Sequence, residues 1–131
     1  MDGQKTSAVQ NRVAALRDYG QSVWLDYIRR SLIAGGELRR MVEEDGLGGV
    51  TSNPAIFEKA IAGSSDYAGA INEISIEPGL PSKDVFEILA VRDIQDAADV
   101  LRGVYDRTQA KDGYVSLEVS PELGNDTEGT L

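Results

Sequence analysis

The 131-residue sequence contains no cysteine and no histidine. Without cysteine there is no disulfide framework, no thiolate nucleophile and no cysteine-ligated zinc site. Without histidine there is no Ser-His-Asp triad and no imidazole metal ligand. Any chemistry must therefore use carboxylates, amides, hydroxyls or lysine, a set that suits Schiff-base formation or acid–base catalysis by carboxylates.

Basic charge and long apolar runs are also scarce. The net charge of −9 argues against nucleic acid or an anionic membrane as a partner, because both attract a basic surface. No run approaches the roughly 18 apolar residues of a membrane-spanning helix, and the N-terminus lacks the apolar core of a signal peptide. We therefore expect a cytoplasmic protein. With 41% hydrophobic residues, residues 1–131 are enough for the core of one domain.

Three short runs are typical of β-strands that end in polar side chains: residues 23–26, 48–53 and 114–119. Alternate side chains of a strand face opposite sides. Asp26, Asn53 and Glu118 therefore share one face of their strands, while the apolar residues share the other. Parallel α/β barrels keep their active sites at the C-terminal ends of the strands, so this pattern predicts a site gathered there.

The rest of the chain is predicted to alternate helices with these strands. Apolar spacing predicts helices at about 7–19, 28–34, 37–44, 55–62, 66–73, 83–90 and from 93 to 105. No two strands are close enough for a hairpin, which favours a parallel sheet. Residues 125–128 resemble a capped helix start, with too little chain after them for a helix, and this suggests truncation.

Each candidate residue also has a purely structural interpretation. Asp26 is of the type that forms caps and turns, and Asn53 before Pro54 is a typical helix cap. Glu118 lies in an apolar run, where an unpaired buried carboxylate is costly, so a structural role explains it less easily.

The sequence resembles the transaldolase family in three motifs. The segment Gly-Val-Thr-Ser-Asn-Pro-Ala-Ile-Phe at 49–57 is similar to the family signature. Val-Trp-Leu-Asp at 23–26 resembles the first barrel strand, and Gly-Tyr-Val-Ser-Leu-Glu-Val-Ser-Pro at 113–121 resembles the third, with Asp-Thr-Glu-Gly-Thr following at 126–130. The motifs occur in family order and cover nearly the whole chain. Their form resembles the longer bacterial subfamily, which also occurs fused to a glucose-6-phosphate isomerase domain.

The resemblance implies an α/β fold, namely the first part of a (β/α)8 TIM barrel with an extra N-terminal helix. It also implies an enzyme of the pentose phosphate pathway. Such an enzyme transfers a three-carbon dihydroxyacetone unit between sugar phosphates through a lysine Schiff base, without metal or organic cofactor. The implied partners are sugar-phosphate substrates, and a homo-oligomer is left open.

The resemblance assigns roles residue by residue. Asp26 matches the acid–base that takes the proton of the donor hydroxyl, and Glu118 matches the carboxylate that works with a water. Asn53 matches the amide that holds the dihydroxyacetone hydroxyl. Thr51 and Ser116 match neighbouring polar positions that bind substrate. The related fructose-6-phosphate aldolases lack the glutamate, so Glu118 favours transfer of the three-carbon unit over simple aldol cleavage.

The Schiff-base lysine of the family lies on the fourth strand, in a segment like Ile-Lys-Val-Pro, and the chain ends before it. None of Lys5, Lys59, Lys83 and Lys111 matches that position. We therefore expect the 131 residues alone to be inactive, and an open sheet edge to favour oligomers or a molten state. The alternative is a non-catalytic half-barrel with a structural or interaction role.

Overall fold

Two short parallel strands form the centre of the fold. The computed structural model describes residues 11–74 and 79–131. In it, β1 (Trp24–Asp26) pairs in parallel with β2 (Gly49–Thr51), so that Asp26 lies opposite Thr51. Helices connect the strands, which confirms the predicted alternation and the parallel sheet.

The predicted third strand is reduced to one parallel bridge between Val50 and Val115. The Val50 amide donates to the Tyr114 carbonyl at 3.0 Å, and the Ser116 amide donates to the Val50 carbonyl at 2.9 Å. The expectation of a strand over 114–119 is therefore wrong beyond Ser116. Because β2 ends at Thr51, the later residues have no strand opposite them. β1, β2 and the third segment (residues 112–119), which pairs through Val115, lie side by side in chain order.

Two short helices, α1 (Arg30–Ala34) and α2 (Glu37–Arg40), connect β1 to β2. They are separated by the break predicted at glycines 35 and 36, where Gly36 has a φ of 82° that favours glycine. The helix predicted over 37–44 is only half α-helical. It continues as a π-helical turn (Met41–Asp45), which ends at a left-handed glycine.

Three further helices lie between β2 and the bridge: α3 (Pro54–Ala62), α4 (Ala68–Ile74) and α5 (Ser82–Arg107). The sequence predicted two helices over 83–105, but α5 is continuous over 26 residues. The second of the two predicted helices would start at Asp93. Asp93 is instead fully buried on the inner side of α5, where it pairs with Arg30.

The apolar core lies between the helices and one face of the sheet. Val50 is fully buried at its centre, and Leu25 and Val115 pack against the same cluster. The helices and their connections contribute buried side chains to this cluster, among them Ile28, Leu38, Val42, Phe57, Ala97, Leu101 and Val104. On the opposite face Trp24 is 36% exposed and Asp26 is exposed, as the alternation predicted.

Polar contacts join the N-terminal ends of the first and third segments across β2. The Ser22 hydroxyl donates to the Asp112 carboxylate. The Trp24 Nε1 donates to Ser22 Oγ at 2.9 Å and to Asp112 Oδ1 at 3.1 Å. These groups pass over Gly48 and Gly49, where any Cβ would collide with them. Bare backbone at 48–49 therefore allows the contact.

The described termini add short helical turns. A 3₁₀ helix (Ala14–Tyr19) covers part of the predicted N-terminal helix at 7–19, whose first residues lie outside the described range. At the other end, Asp126 caps α6 (Thr127–Thr130) by accepting from the Gly129 amide at 2.9 Å. The expectation that no helix fits there is wrong, since one turn forms. Over residues 11–74 and 79–131, no helix has the length and apolar character needed to cross a membrane.

Candidate active site

Asp26 and Thr51 lie side by side at the C-terminal end of the strand pair. They are register partners, and the Thr51 hydroxyl donates to Asp26 Oδ1 at 2.7 Å. Ser116 follows the bridge residue Val115 in the neighbouring segment. Val50 is the register partner of Leu25 and of Val115, so these three residues lie opposite one another across the sheet. The next residue in each segment is Asp26, Thr51 or Ser116. Three of the five predicted site residues therefore share one row of the sheet.

Within the described part of the chain, Thr51 is the hydrogen-bond partner of the Asp26 carboxylate. Thr51 engages its Oδ1 atom, and the residue is exposed on the face of the sheet away from the core. A carboxylate oriented by a hydroxyl, with one oxygen free to meet a ligand, can accept or return a proton. This pair has the chemistry expected of a general acid–base.

Asn53 follows β2 by two residues and caps α3. Its Oδ1 accepts from the Ile56 amide at 2.9 Å, and Pro54 occupies the first position of the helix. The structural interpretation of Asn53 is therefore confirmed. A binding role is compatible with the cap, because the cap uses only the oxygen of the side-chain amide and the NH₂ group of the same amide is a donor.

Ser52 is a site neighbour that the sequence did not suggest. It is 2% exposed, and its hydroxyl donates to the Ser116 carbonyl at 2.6 Å. The contact extends the pairing of β2 and the third segment by one residue beyond the bridge. The available signal was a hydroxyl on the same side of the run as Val50, since a buried hydroxyl requires a partner.

Glu118 lines a groove whose lining residues do not include Asp26 or Thr51. This glutamate is exposed, so the cost of an unpaired buried carboxylate, which set Glu118 apart from the other candidates, does not arise in this structure. Leu117 and Val119 are exposed as well, at 45% and 47%. All three line one groove of about 390 Å³, so the predicted alternation ends where the backbone leaves the sheet.

The groove at Glu118 runs between the start of α5 and the third segment. Pro54, Phe86 and Ala90 are among its apolar lining residues. Lys83 lies at the groove, with its Nζ 2.8 Å from Glu122 Oε2. The ion pair raises the pKa of Lys83 and lowers that of Glu122. A raised pKa keeps the lysine protonated, which disfavours it as a nucleophile.

The other described lysines do not belong to the row of Asp26, Thr51 and Ser116. Lys59 lies on α3, and Lys111 is exposed in the turn after α5, while Lys5 falls outside the described residues. Among residues 11–74 and 79–131, no group of three or more acidic side chains is placed to hold a metal ion. The row therefore contains acid–base and hydrogen-bonding groups but no amine.

Comparison with known proteins matches the chain to transaldolases. The family model for transaldolase/fructose-6-phosphate aldolase matches residues 23–131. The chain is 48% identical to transaldolase 2 of Nostoc punctiforme over 121 residues, which are 92% of this chain and 32% of the relative. It is 43% identical to a transaldolase of Trichodesmium erythraeum over 123 residues, 94% of this chain and 32% of the relative. A transaldolase of Thiobacillus denitrificans is 46% identical over 112 residues, 86% of this chain and 31% of the relative. The chain therefore spans about a third of the length of these relatives.

Proposed function

Because the chain belongs to the transaldolase/fructose-6-phosphate aldolase family, we propose that it is the first part of a (β/α)8 barrel enzyme of the transaldolase type. One observation carries the proposal for the site. Asp26 and Thr51 are joined by a 2.7 Å hydrogen bond at the C-terminal end of a parallel strand pair. In parallel barrels that end bears the active site.

The proposed reaction moves a dihydroxyacetone unit between sugar phosphates of the pentose phosphate pathway, in the cytoplasm. The donor is sedoheptulose 7-phosphate or fructose 6-phosphate, and the acceptor is glyceraldehyde 3-phosphate or erythrose 4-phosphate. A lysine amine adds to the donor carbonyl and loses water to give an iminium ion. This ion accepts the electron pair of the carbon–carbon bond that breaks. The lysine is that of the family's fourth strand, and the 131 residues contain no segment of the Ile-Lys-Val-Pro type.

Asp26 is proposed as the general base of this cleavage. It takes the proton of the hydroxyl next to the breaking bond, and the carbon that bears this hydroxyl becomes an aldehyde. It returns the proton to the new hydroxyl when the acceptor aldehyde adds. Thr51 donates to one carboxylate oxygen, which orients the carboxylate and leaves the other oxygen for the substrate. Thr51 therefore acts through Asp26 in addition to its expected role in substrate binding.

The remaining candidates hold substrate or water. Asn53 donates from its side-chain NH₂ group to a dihydroxyacetone hydroxyl, since its oxygen caps α3. Ser116, in the same row as Asp26, adds a hydroxyl contact. Glu118 serves proton transfers to and from a water while the carbinolamine and imine form. Its exposed position supports this role, because a carboxylate that exchanges protons with water must be reachable by it.

A chimera tests the proposal. The 131 residues are joined to the part of the Nostoc punctiforme transaldolase 2 chain that follows its matched segment. We expect the chimera to transfer the three-carbon unit from fructose 6-phosphate to erythrose 4-phosphate. Borohydride should trap the sugar on it. In the Asp26→Ala chimera we expect trapping to persist and turnover to be lost, because nucleophilic attack and acid–base work are separate steps.

Asp99→Ala is the matched control, because Asp99 is an exposed carboxylate on the outer side of α5. Wild-type turnover in the Asp26→Ala chimera would remove Asp26 from the mechanism. A folded chimera that neither traps nor transfers the sugar would instead favour the half-barrel alternative. That alternative draws support from the positions of Lys59, Lys83 and Lys111 away from the site row.

A further inference from the structure

The first turn of α1 is capped by side chains from a distant segment. The first N–H groups of a helix have no partner within the helix, and the residue before α1, Arg29, makes no side-chain cap. Instead the Arg30 amide donates to the Tyr67 hydroxyl at 3.2 Å, and the Ser31 amide donates to Asp66 Oδ2 at 3.1 Å. Asp66 and Tyr67, which precede α4, therefore cap a helix more than 30 residues earlier in the chain.

Asp66 is fixed in this position by an ion pair with the residue that precedes α1. Arg29 Nε donates to Asp66 Oδ2 at 2.8 Å, and a second guanidinium nitrogen donates to Oδ1 at 3.3 Å. The hydrogen bond from Arg29 holds the pKa of Asp66 well below its usual range and raises that of Arg29. The capping carboxylate is therefore ionised and held by two bonds at the entrance to the helix.

Tyr67 is fixed by a fully buried carboxylate on α5. Its hydroxyl donates to Asp93 Oδ2 at 2.7 Å, while Arg30 Nε donates to Asp93 Oδ1 at 2.8 Å. The Arg30 guanidinium also lies 4.5 Å from the centre of the Tyr67 ring, a favourable cation–π distance. Burial of Tyr67, together with its bond to Asp93, raises the pKa of the phenol, so the hydroxyl keeps its proton over the physiological range.

Only three residues separate the capped start of α1 from Asp26. β1 ends at Asp26, and α1 begins at Arg30. Within the connection, Ile28 is fully buried in the core. A three-residue connection spans at most about 11 Å, so the first turn of α1 lies close to the end of β1.

We propose that Asp66 and Tyr67 are positioning residues for Asp26. By capping α1 they fix the connection that follows β1, and this holds the Asp26 carboxylate against the Thr51 hydroxyl. The chemical importance of that position rests on the proposed function, whereas the positional effect itself can be measured without catalysis.

Threonine methyl NMR of the chimera, in which the added strands complete the proposed barrel, provides the test. The Thr51 methyl signal is assigned by its absence from a Thr51→Ser chimera, and it reports the rotamer that the bond to Asp26 selects. Asp26→Ala gives the signal expected when the bond is absent. We expect Asp66→Ala and Tyr67→Phe each to move the Thr51 signal toward that reference. The amides of Arg30 and Ser31 should then exchange with solvent about fivefold faster, as expected for the loss of one hydrogen bond.

Asp66→Asn provides a rescue, because it keeps an oxygen that can accept from the Ser31 amide. We expect its Thr51 signal to stay near that of the parent chimera. Asp99→Ala and Tyr105→Phe are the matched controls, since both residues are exposed on α5 and neither side chain contacts the cap. If Asp66→Ala does not fold, Tyr67→Phe decides the question, because it removes a single oxygen.

An unmoved Thr51 signal in the folded Tyr67→Phe chimera, with faster exchange at Arg30, would overturn the inference and leave the cap a purely structural role. Unchanged amide exchange would overturn it as well. Failure of the proposed function would look different. The chimera would then be inactive, while the Thr51 signal would still respond to Tyr67→Phe.

Discussion

Gly49→Ala tests the close packing of Trp24 on the first residue of β2. A Cβ at position 49 would lie closer than 3 Å to three carbon atoms of the indole, with Cε3 at 2.8 Å. The ring is not free to move away, because its Nε1 donates to Ser22 and Asp112. The added methyl group must therefore displace the ring and its hydrogen bonds, or separate the strands.

The expected cost follows from two opposing effects. Overpacking of this kind costs about 1–3 kcal/mol, and alanine recovers about 0.4–1 kcal/mol by restricting the unfolded chain. We expect a net loss of about 1–2 kcal/mol of unfolding free energy. Urea unfolding of the chimera, in which the added strands complete the proposed barrel, would measure this loss by circular dichroism.

Two variants make this prediction specific. Gly69→Ala is the matched control, because a Cβ there meets nothing within 4 Å and helix α4 gains from alanine. In the Trp24→Ala background the clash is absent, so Gly49→Ala should cost little in that double-mutant cycle. The reasoning would be refuted if Gly49→Ala were as stable as the parent chimera, or if its cost were unchanged without the indole.

Three further substitutions test other contacts. Asp93→Ala should lower the unfolding free energy by about 3 kcal/mol in urea, because it leaves the Arg30 guanidinium without its buried partner. Asn53→Ala should lower it by about 1 kcal/mol through loss of the cap on α3. Asp66→Asn should flatten the acid side of the pH–stability curve. Because the pKa of Asp66 is lowered in the fold, its bond to Arg29 contributes stability at any pH above 3.8, the ordinary pKa of an aspartate. This stability is lost as the pH falls below 3.8 toward the lowered pKa.

Two of the controls for these substitutions use exposed aspartates of α5, and the third is a conservative change at Asn53. Asp96→Ala matches Asp93→Ala, because Asp96 is exposed on the same helix. Asn53→Asp keeps a capping oxygen and should retain most of the stability. Asp99→Asn should leave the acid side of the pH profile unchanged. Equal effects of Asp96→Ala and Asp93→Ala would contradict the buried pair with Arg30. A full loss in Asn53→Asp would contradict the cap on α3, and an unchanged acid profile in Asp66→Asn would contradict the ion pair with Arg29.

The features predicted well were those determined by local chemistry. Pro54 after Asn53 predicted the start of α3 to within one residue, because a cap and a proline act within one turn. The alternation around Leu25 and Val50 predicted which face of the sheet is buried. The break at Gly36 was found because a left-handed backbone favours glycine.

The features missed depend on contacts between distant residues. Asp93 suggested a helix start, since a charge interrupts an apolar stripe, and only Arg30 and Tyr67 explain why a carboxylate lies on the buried side of α5. The alternation predicts that Leu117 and Val119 face away from Glu118, but all three are exposed because strand pairing ends before them. For the candidate site, the alternation predicts that Asp26, Asn53 and Glu118 share one face of their strands. The row formed by Asp26, Thr51 and Ser116 follows from the strand register, and the catalytic roles remain predictions.

The contact between Ser22 and Asp112 also bears on the order in which the protein folds. These side chains are 90 positions apart, and closing so long a loop in a disordered chain carries a high entropic cost before any contact offsets it. α5, about 39 Å long at 1.5 Å per residue, lies within that loop and can form from local contacts. We therefore expect α5 to form early and to shorten the search, and the third segment to dock against β2 last. The sheet edge that bears Ser116 would then be the slowest part of the fold to assemble.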